Sequence, residues 1–308
     1  MIDVSICLIT YNHERYLHDA FESIFKQKLN GLKIEIVVGE DCSTDSTRTI
    51  IIKYREKYGD IVKPIFREKN IGVVRNYVDT LSKCSGKYVA ILSGDDYWID
   101  ENKLFYQFSF LENNPEYVMI GNNAFHHKYY KKGLINLGKT NQREIALDIH
   151  TKDLFLHNPF TASQIMFKNK IIKDFPEIYF SSTGEDRQFF MMLSQHGKCL
   201  LDPHVTGVYR SHPESITSKV KSNSQIIDRL YERINNAENW NKYFDNKYED
   251  QVKIVKKQTY KKILHYSLKG FYFKKAVNCI DHLTISDFER KSVKLSFLMA
   301  KFIKKLFN

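Results

Sequence analysis

Asp95 and Asp96 are adjacent carboxylates that directly follow a short apolar segment, Tyr88–Leu92. Divalent cations such as Mg²⁺ and Mn²⁺ prefer oxygen ligands of this kind and are often shared with substrate phosphates. Two neighbouring carboxylates repel each other unless a cation lies between them. A helix cap or a solvated turn would also explain the pair, so its position in the fold decides between the two interpretations.

Polar residues also follow two earlier apolar segments. Thr10, Tyr11 and Asn12 follow the first, and Asp41 follows the second. A tyrosine face can stack on a nucleobase, which contributes roughly 1–3 kcal/mol in single-stranded nucleic acid sites. A carboxylate such as Asp41 can accept a hydrogen bond from a base imide. The alternative for Tyr11 is packing on the next helix.

Arg75 and Trp98 are two further candidates for contacts with a phosphorylated ligand. Arg75 follows Asn70-Ile71-Gly72 at the predicted start of a helix, where a guanidinium could pair with a pyrophosphate. An ordinary surface arginine explains it equally well. Trp98 and Tyr97 lie next to the acidic pair, and either ring could pack against a sugar.

A second acidic pair, Glu185 and Asp186, follows a glycine and precedes a predicted helix. Either residue could act as a general base that removes a hydroxyl proton. Acids are also favourable at a helix N-terminus, which is the alternative explanation. His212 could complete a metal site with Asp96, although a loop histidine often has no such role.

The elements that must position these residues alternate between strand and helix. Short apolar runs predict buried strands, and residues that share one helical face predict the helices between them. The predicted strands are Val4–Ile9, Ile34–Val38, Val62–Phe66 and Tyr88–Leu92, and the predicted helices are Glu14–Phe25, Ser43–Tyr58 and Val73–Leu81. This order predicts an α/β fold with a mostly parallel sheet, in which ligands bind beyond the carboxyl ends of the strands.

The rest of the chain divides into a mixed region and a helical region. We expect a helix at Leu104–Leu111, a strand at Tyr117–Asn122, a loop or exposed hairpin at His126–Arg143, a helix at Phe189–His196 and an extended Leu200–Arg210. Beyond about Ser218 glycine nearly disappears and helices follow one another. The predicted domains are therefore residues 1–217 and 218–308.

Composition narrows the function classes. The net charge is +11, which favours an anionic partner such as a phosphorylated substrate, acidic lipid or nucleic acid. None of the five cysteines forms a C-x-x-C pair, which argues against a zinc knuckle and fits a reducing cytoplasm. The N-terminus does not resemble a signal peptide, and no apolar run is long enough for a membrane span. We therefore expect a cytoplasmic protein.

The segment 290–308 contains six basic residues and no acidic ones. On a helical wheel its basic residues lie opposite most of its apolar residues, which is typical of a helix that lies on a membrane surface. Packing of the apolar face on the rest of the protein is the alternative. The protein is thus predicted to be cytoplasmic, with peripheral contact to the inner face of the plasma membrane as one option.

Taken together, these motifs resemble, in order and spacing, the family 2 glycosyltransferases of GT-A fold. The resemblance covers roughly residues 2–217 and rests on Val4-Ser5-Ile6 through Tyr11-Asn12, Glu40 through Thr47, Asn70-Ile71-Gly72, Asp95-Asp96, Gly184-Glu185-Asp186 and Tyr209-Arg210-Ser211-His212. It implies a Mn²⁺- or Mg²⁺-dependent, inverting transfer of a sugar from a nucleotide-diphosphate sugar, with a uridine donor favoured. The implied acceptor is a glycan or lipid-linked glycan of a bacterial cell-surface polysaccharide.

The resemblance also implies a role for each matching residue. Those implied to bind the nucleotide sugar are Thr10, Tyr11, Asn12, Asp41, Arg75, Asp95 and Trp98. Asp96 is implied to be the direct metal ligand, with His212 beside it. Asp186 is implied to be the catalytic base, with Glu185 next to it.

Two positions depart from the family pattern, and other classes fit less well. The pair after the second strand is Glu40-Asp41 rather than two aspartates, and Ser93 stands where the strict metal motif has an acid.

A dinucleotide-dependent oxidoreductase would need G-x-G-x-x-G after the first strand, which this chain lacks. No nucleic-acid-binding motif is present. A catalytically degenerate GT-A scaffold or nucleotide-binding module remains the alternative function.

Overall fold

The computed structural model describes residues 1–130, 133–181, 185–213, 215, 222–269, 272–283, 298 and 301. Their strands are β1 (Val4–Thr10), β2 (Ile34–Glu40), β3 (Val62–Phe66), β4 (Tyr88–Ser93), β5 (Tyr97–Trp98), β6 (Tyr117–Tyr130), β7 (Gly133–Lys139), β8 (Leu147–Ile149), β9 (Ile165–Lys168) and β10 (Lys198–Ser211). Their α-helices are α1 (Leu17–Phe25), α2 (Thr47–Tyr58), α3 (Val73–Ser82), α4 (Lys103–Asn113), α5 (Thr151–Leu156), α6 (Glu177–Ser181), α7 (Glu185–Leu193), α8 (Asn223–Tyr243), α9 (Glu249–Lys269) and α10 (Phe273–Ile280). Short 3₁₀ turns occupy Gly59–Ile61 and Ala162–Gln164.

The chain divides into two compact units. The first comprises Met1–Leu154, Asn158–Phe180 and Gly184–Pro213, and the second comprises Phe155–His157, Ser181–Thr183 and Glu214–Asn308. The first unit contains the sheet and the candidate site residues.

The sheet of the first unit has the order β3-β2-β1-β4-β9-β6-β10-β5, with β7 beside β6 and β8 beside β10. Strands β1 to β4 pair in parallel, as the alternation of apolar runs and amphipathic helices predicts. β1 lies between β2 and β4, and its apolar residues are almost completely buried because strands and helices cover both its edges and its faces. On one face, α1 contributes Leu17, Ala20, Phe21 and Ile24 to the core.

Strand register brings the predicted site segments to one edge. Thr10 pairs with Glu40, and Ile9 pairs with Ser93, so β1, β2 and β4 end at the same level. The segments that follow these three strands therefore lie side by side at the carboxyl end of the sheet, where α/β proteins bind ligands.

Beyond β4 the sheet becomes mixed. β9, which the sequence patterns did not predict, lies antiparallel to β4 and β6, and β10 runs parallel to β6. β5 pairs antiparallel with the end of β10, joining Val208 to Tyr97. The segment predicted as a loop or exposed hairpin pairs as the antiparallel strands β6 and β7.

The second unit is helical in its described part, as the loss of glycine beyond Ser218 predicts. α8 begins after Ser222, which forms a capping box with Gln225. α8, α9 and α10 bury one apolar cluster that includes Ile227, Ile263 and Leu264. The predicted amphipathic helix at 290–308 lies outside the described residues except for 298 and 301. None of the described helices is long and apolar enough to cross a membrane.

Candidate functional site

The turn after β1 is tied to the segment after β2. Asn12 has a φ of 55°, a left-handed conformation that asparagine tolerates better than most residues. Its Oδ1 accepts the Thr44 N–H at 2.8 Å, and its own N–H donates to the Ser43 hydroxyl at 3.0 Å. Thr10 is buried, whereas Tyr11 is 42% exposed, so the Tyr11 ring is available to a ligand.

Asp41 is buried and holds the turn before α3. Its two carboxylate oxygens accept the backbone N–H groups of Ile71 at 2.8 Å and Gly72 at 3.0 Å. The Asn70 side-chain amide donates to the Asp41 carbonyl at 3.1 Å. Since each carboxylate oxygen can accept more than one hydrogen bond, Asp41 keeps some acceptor capacity.

The unusual glutamate of the Glu40-Asp41 pair has a structural role. Glu40 is fully buried, and Arg48 contacts its carboxylate through Nε at 2.8 Å and Nη2 at 2.7 Å. The Glu40 carboxylate also accepts the Ser43 N–H at 2.5 Å. This charge pair fixes the start of the Ser43–Thr47 segment, which in turn holds the Asn12 turn.

Three potential metal ligands meet at the carboxyl end of the sheet. Within the described part of the chain, His13, Asp95 and His212 each place one ligand atom within 4.8 Å of the other two. His212 Nε2 lies 3.2 Å from Asp95 Oδ2, and His13 Nε2 lies 3.9 Å from the same oxygen. They come from three segments that the fold brings together: the turn after β1, the turn after β4 and the end of β10.

The environment of Asp95 favours its ionised form. Burial raises the pKa of this carboxyl, but the hydrogen bond with His212, the charge of His13 and the Ser93 hydroxyl outweigh burial and lower it to about 2. Ser93, which replaces the acid of the strict motif, donates a hydrogen bond to Asp95 Oδ1. The serine thus supports the remaining carboxylate.

Asp96 faces away from these ligands and joins distant segments. Its Oδ1 accepts the Arg210 backbone N–H at 2.8 Å, and its Oδ2 lies 2.5 Å from the Ser163 hydroxyl. Burial and the neighbouring charge of Asp95 raise its pKa. Asp95, not Asp96, therefore contributes the carboxylate of the three-residue cluster, and Asp96 anchors β10 beside it; the direct metal contact that the resemblance implies for Asp96 stays a prediction.

Arg210 is buried beside Asp95 at the end of β10. Its guanidinium is ion-paired with Asp19, donates to the Asp95 carbonyl at 3.2 Å and lies 4.3 Å from the centre of the Tyr97 ring. A buried cation held by aromatic faces and a carboxylate is a rigid support. It fixes the end of β10, and therefore the start of the His212 loop.

Trp98 lies in the core, whereas Arg75 lies on the surface. Trp98 is 4% exposed, its indole N–H donates to the Ser163 carbonyl at 2.7 Å, and Lys103 Nζ lies 4.4 Å from its ring centre. This placement differs from the predicted sugar contact, because pairing of β5 with β10 turns the ring into the core. Arg75 is exposed in the first turn of α3, with its guanidinium 5.0 Å from the centre of the Phe180 ring.

The second acidic pair opens α7. Glu185 is its first residue, and Asp186, in the first turn, is exposed. Burial and, to a smaller extent, Tyr179 raise the pKa of Tyr77. The charge of Asp186 also contributes, so Asp186 lies close to the Tyr77 hydroxyl. An exposed carboxylate is accessible to an acceptor hydroxyl, as a general base requires.

Some residues of this site were not identified from the sequence. His13 is not among the candidates drawn from the sequence, although its position directly after Thr10, Tyr11 and Asn12 is a signal for it. Ser163 and Arg210 contact Asp96 from positions more than 60 residues away. No local spacing indicates contacts of that kind.

Comparison with known proteins identifies the class. The sequence profile described as Glycosyl transferase family 2 matches residues 5–169, and the chain belongs to this family. The fold is GT-A: residues 1–349 of Staphylococcus aureus TarS, solved with UDP-GlcNAc, superimpose with a TM-score of 0.64 and 17% identity over 98% of this chain and 88% of that one. A Pyrobaculum calidifontis mannosyltransferase, solved with GDP-Man and Mn²⁺, superimposes with a TM-score of 0.58 and 12% sequence identity, over 98% of this chain and 86% of that one.

Curated relatives match a smaller part. An uncharacterised protein of Mycobacterium tuberculosis is 40% identical over 113 residues, which is 37% of this chain and 32% of that protein. The putative teichuronic acid biosynthesis glycosyltransferase TuaG of Bacillus subtilis is 33% identical over 108 residues, 35% of this chain and 41% of that protein. The matched segments therefore span less than half the length of these curated relatives.

Proposed function

We propose that the protein transfers a sugar from a nucleotide-diphosphate sugar to a hydroxyl of a glycan or lipid-linked glycan in the biosynthesis of a cell-surface polysaccharide. The observation that carries this proposal is the meeting of the Tyr11 turn, Asp41 and the His13–Asp95–His212 cluster at one edge of the sheet. Membership of glycosyl transferase family 2 supports the reaction class. The name of the TuaG relative supports the polysaccharide setting.

The nucleoside half of the donor would bind between the first two strand ends. Tyr11 offers an exposed ring face for the base. Asp41 would accept a base N–H through its remaining lone pairs while keeping the 70–72 turn in place. Thr10 and Asn12 would shape the wall between these two groups. We favour uridine, since TarS was solved with UDP-GlcNAc.

The diphosphate half would lie at Asp95 and His212. These groups and His13 form a donor set of two imidazoles and one carboxylate, which fits a divalent cation. When bound, the cation would offset the negative charge of the departing nucleoside diphosphate. Asp96 and Arg210 would keep Asp95 and His212 in place. Arg75 is exposed and could reach a phosphate.

Asp186 would act as the base, with Glu185 next to it. A single displacement requires one base that deprotonates the acceptor hydroxyl, and the new bond then forms opposite the departing nucleotide, so the anomeric configuration inverts. Asp186 suits this role because it is exposed at the start of α7. The proposed cellular setting is the cytoplasmic side of the plasma membrane, since the basic 290–308 segment would favour an acidic surface.

The test is release of nucleoside diphosphate from a panel of nucleotide sugars, with and without acceptor glycans and with Mn²⁺ or chelator. Asp186→Asn should reduce transfer at least 10²-fold, the usual scale of general base catalysis, and should leave donor binding unchanged. Glu177→Gln, an exposed acid in the first turn of α6, is the matched control and should retain full activity. Donor binding without turnover of any donor would favour the nucleotide-binding module instead.

A further inference from the structure

We propose that His13 is a third protein ligand of the cation, and that the site selects a first-row transition-metal dication such as Mn²⁺ or Co²⁺ over Mg²⁺. The inference rests on the proposed function, because it concerns the cation that would accompany the nucleotide sugar. It goes further by adding a ligand and the chemical class of the metal.

The spacing of the three groups fits shared coordination. A metal with bonds of about 2.1 Å holds adjacent ligand atoms roughly 3.0–3.4 Å apart. His212 Nε2 and Asp95 Oδ2 are already 3.2 Å apart, and His13 Nε2 is 3.9 Å from that oxygen. The two imidazole rings are nearly perpendicular, at 87°, with centroids 6.3 Å apart. All three ligand atoms lie within 4.8 Å of one another, so the His13 ring must move towards Asp95 and His212 to complete the set.

The backbone of His13 is anchored beside Asp95, and Gly94 leaves space for its ring. Its N–H donates to Thr47 Oγ1 at 2.8 Å, and the preceding Asn12 is fixed in its left-handed conformation. The ring lies against Gly94, where an added Cβ would come within 2.9 Å of His13 Nδ1. A glycine at this position therefore makes room for the imidazole directly beside Asp95.

The donor set of this cluster is poor in oxygen. Ser93 replaces one acid, and both oxygens of Asp96 contact Ser163 and the Arg210 backbone, so Asp95 supplies the one carboxylate among the three clustered groups. Mg²⁺ favours carboxylates, phosphates and water, whereas imidazole favours transition metals. Two imidazoles with one carboxylate therefore predict binding that strengthens from Mg²⁺ to Mn²⁺ to Co²⁺.

A simpler explanation is that both histidines only form ion pairs with Asp95. Under that explanation, His13 could be replaced without changing the affinity for a metal, and no imidazole nitrogen of His13 would be coordinated. The two explanations thus differ in direct binding measurements, which do not depend on turnover.

The experiment is a titration of the chelator-treated protein, residues 1–308, with Mn²⁺ in the absence of nucleotide, with free Mn²⁺ measured by electron paramagnetic resonance. We expect one bound ion, no displacement by a hundredfold excess of Mg²⁺, and displacement by Co²⁺. His13→Asn should weaken Mn²⁺ binding about tenfold or more, the scale on which metal sites respond to lost supporting groups. His18→Asn, at an exposed histidine that contacts Tyr54 instead, is the matched control and should not change the affinity.

Electron spin-echo spectra of the Mn²⁺-loaded wild-type protein provide a second measurement that needs no variant. Two coordinated imidazole nitrogens are expected, and one is expected in His13→Asn. A single nitrogen in the wild type, an unchanged affinity in His13→Asn, or equal binding of Mg²⁺ and Mn²⁺ would overturn the proposal. Metal-independent sugar transfer with no Mn²⁺ binding would also overturn it; the proposed sugar transfer would then stand without its cation.

Discussion

Replacing Gly94 with alanine should weaken cation binding by displacing His13. The added Cβ would lie 2.7 Å from Thr10 Oγ1, 2.9 Å from Thr10 Cβ and 2.9 Å from His13 Nδ1. Non-bonded heavy atoms prefer about 3.5–4.0 Å, so these neighbours must retreat by roughly 0.6 Å or more. Thr10 is buried in β1 and is a poor candidate for movement, whereas the His13 ring lies in a turn and can rotate away.

The displacement exceeds what a metal site tolerates. Ligand distances are generally held within about 0.2 Å. We therefore expect Gly94→Ala to weaken Mn²⁺ binding roughly 10–100-fold, which corresponds to about 1.4–2.7 kcal/mol. Overpacking should also lower the free energy of unfolding by about 1–3 kcal/mol. Gly94 has no positive φ, so alanine adds no backbone strain.

The assay is Mn²⁺ titration of Gly94→Ala, of His13→Asn and of the double variant. If the alanine acts through His13, then adding Gly94→Ala to His13→Asn should change the affinity less than threefold. If the two substitutions acted independently, their effects on the Mn²⁺ affinity would instead multiply. A wild-type affinity in Gly94→Ala, or full additivity in the double variant, would show that Gly94 does not position His13.

Three further predictions concern other parts of the molecule. Asp41→Asn leaves one side-chain oxygen for two backbone N–H groups, so nucleotide affinity should fall about tenfold or more in calorimetry while nucleotide-free Mn²⁺ binding stays unchanged. Burial lowers the pKa of Lys103 to about 7, so above that pH the unfolded chain binds more protons than the folded one. The free energy of unfolding should therefore rise by about 2 kcal/mol from pH 7 to 9 relative to Lys103→Met. Urea unfolding followed by Trp98 fluorescence, with Trp240→Phe in both proteins, measures this difference, and equal pH slopes would contradict it. Deleting 290–308 should weaken sedimentation with anionic vesicles and not with neutral ones; unchanged binding would remove the membrane argument.

The sheet that positions the site could be predicted because its signals are local. β1, β2 and β4 are short apolar runs buried on both faces, and the helices between them repeat apolar residues on one face. β9 was missed because its four residues lie within a region without clear periodicity. Its antiparallel pairing with β4 depends on distant contacts that no local pattern reveals.

The candidate site shows the same division. The order of motifs indicated which segments would meet, and the structure does bring Asp95 and His212 together. It could not indicate which of the two adjacent carboxylates faces the ligand, because that choice depends on Ser163 and Arg210, which take up the oxygens of Asp96. Trp98 was assigned to the sugar from its place beside the acidic pair, whereas strand pairing turns it into the core.

The proposed function requires that the edge formed by β1, β2 and β4 binds a nucleotide-diphosphate sugar together with a divalent cation. Calorimetric titration of nucleoside diphosphates and their sugars, with Mn²⁺ and with chelator, tests it most directly. We expect that one base binds preferentially, that binding requires Mn²⁺, and that Asp95→Asn abolishes it while Glu177→Gln does not. Failure of every nucleotide to bind the Mn²⁺-loaded wild-type protein would contradict the claim.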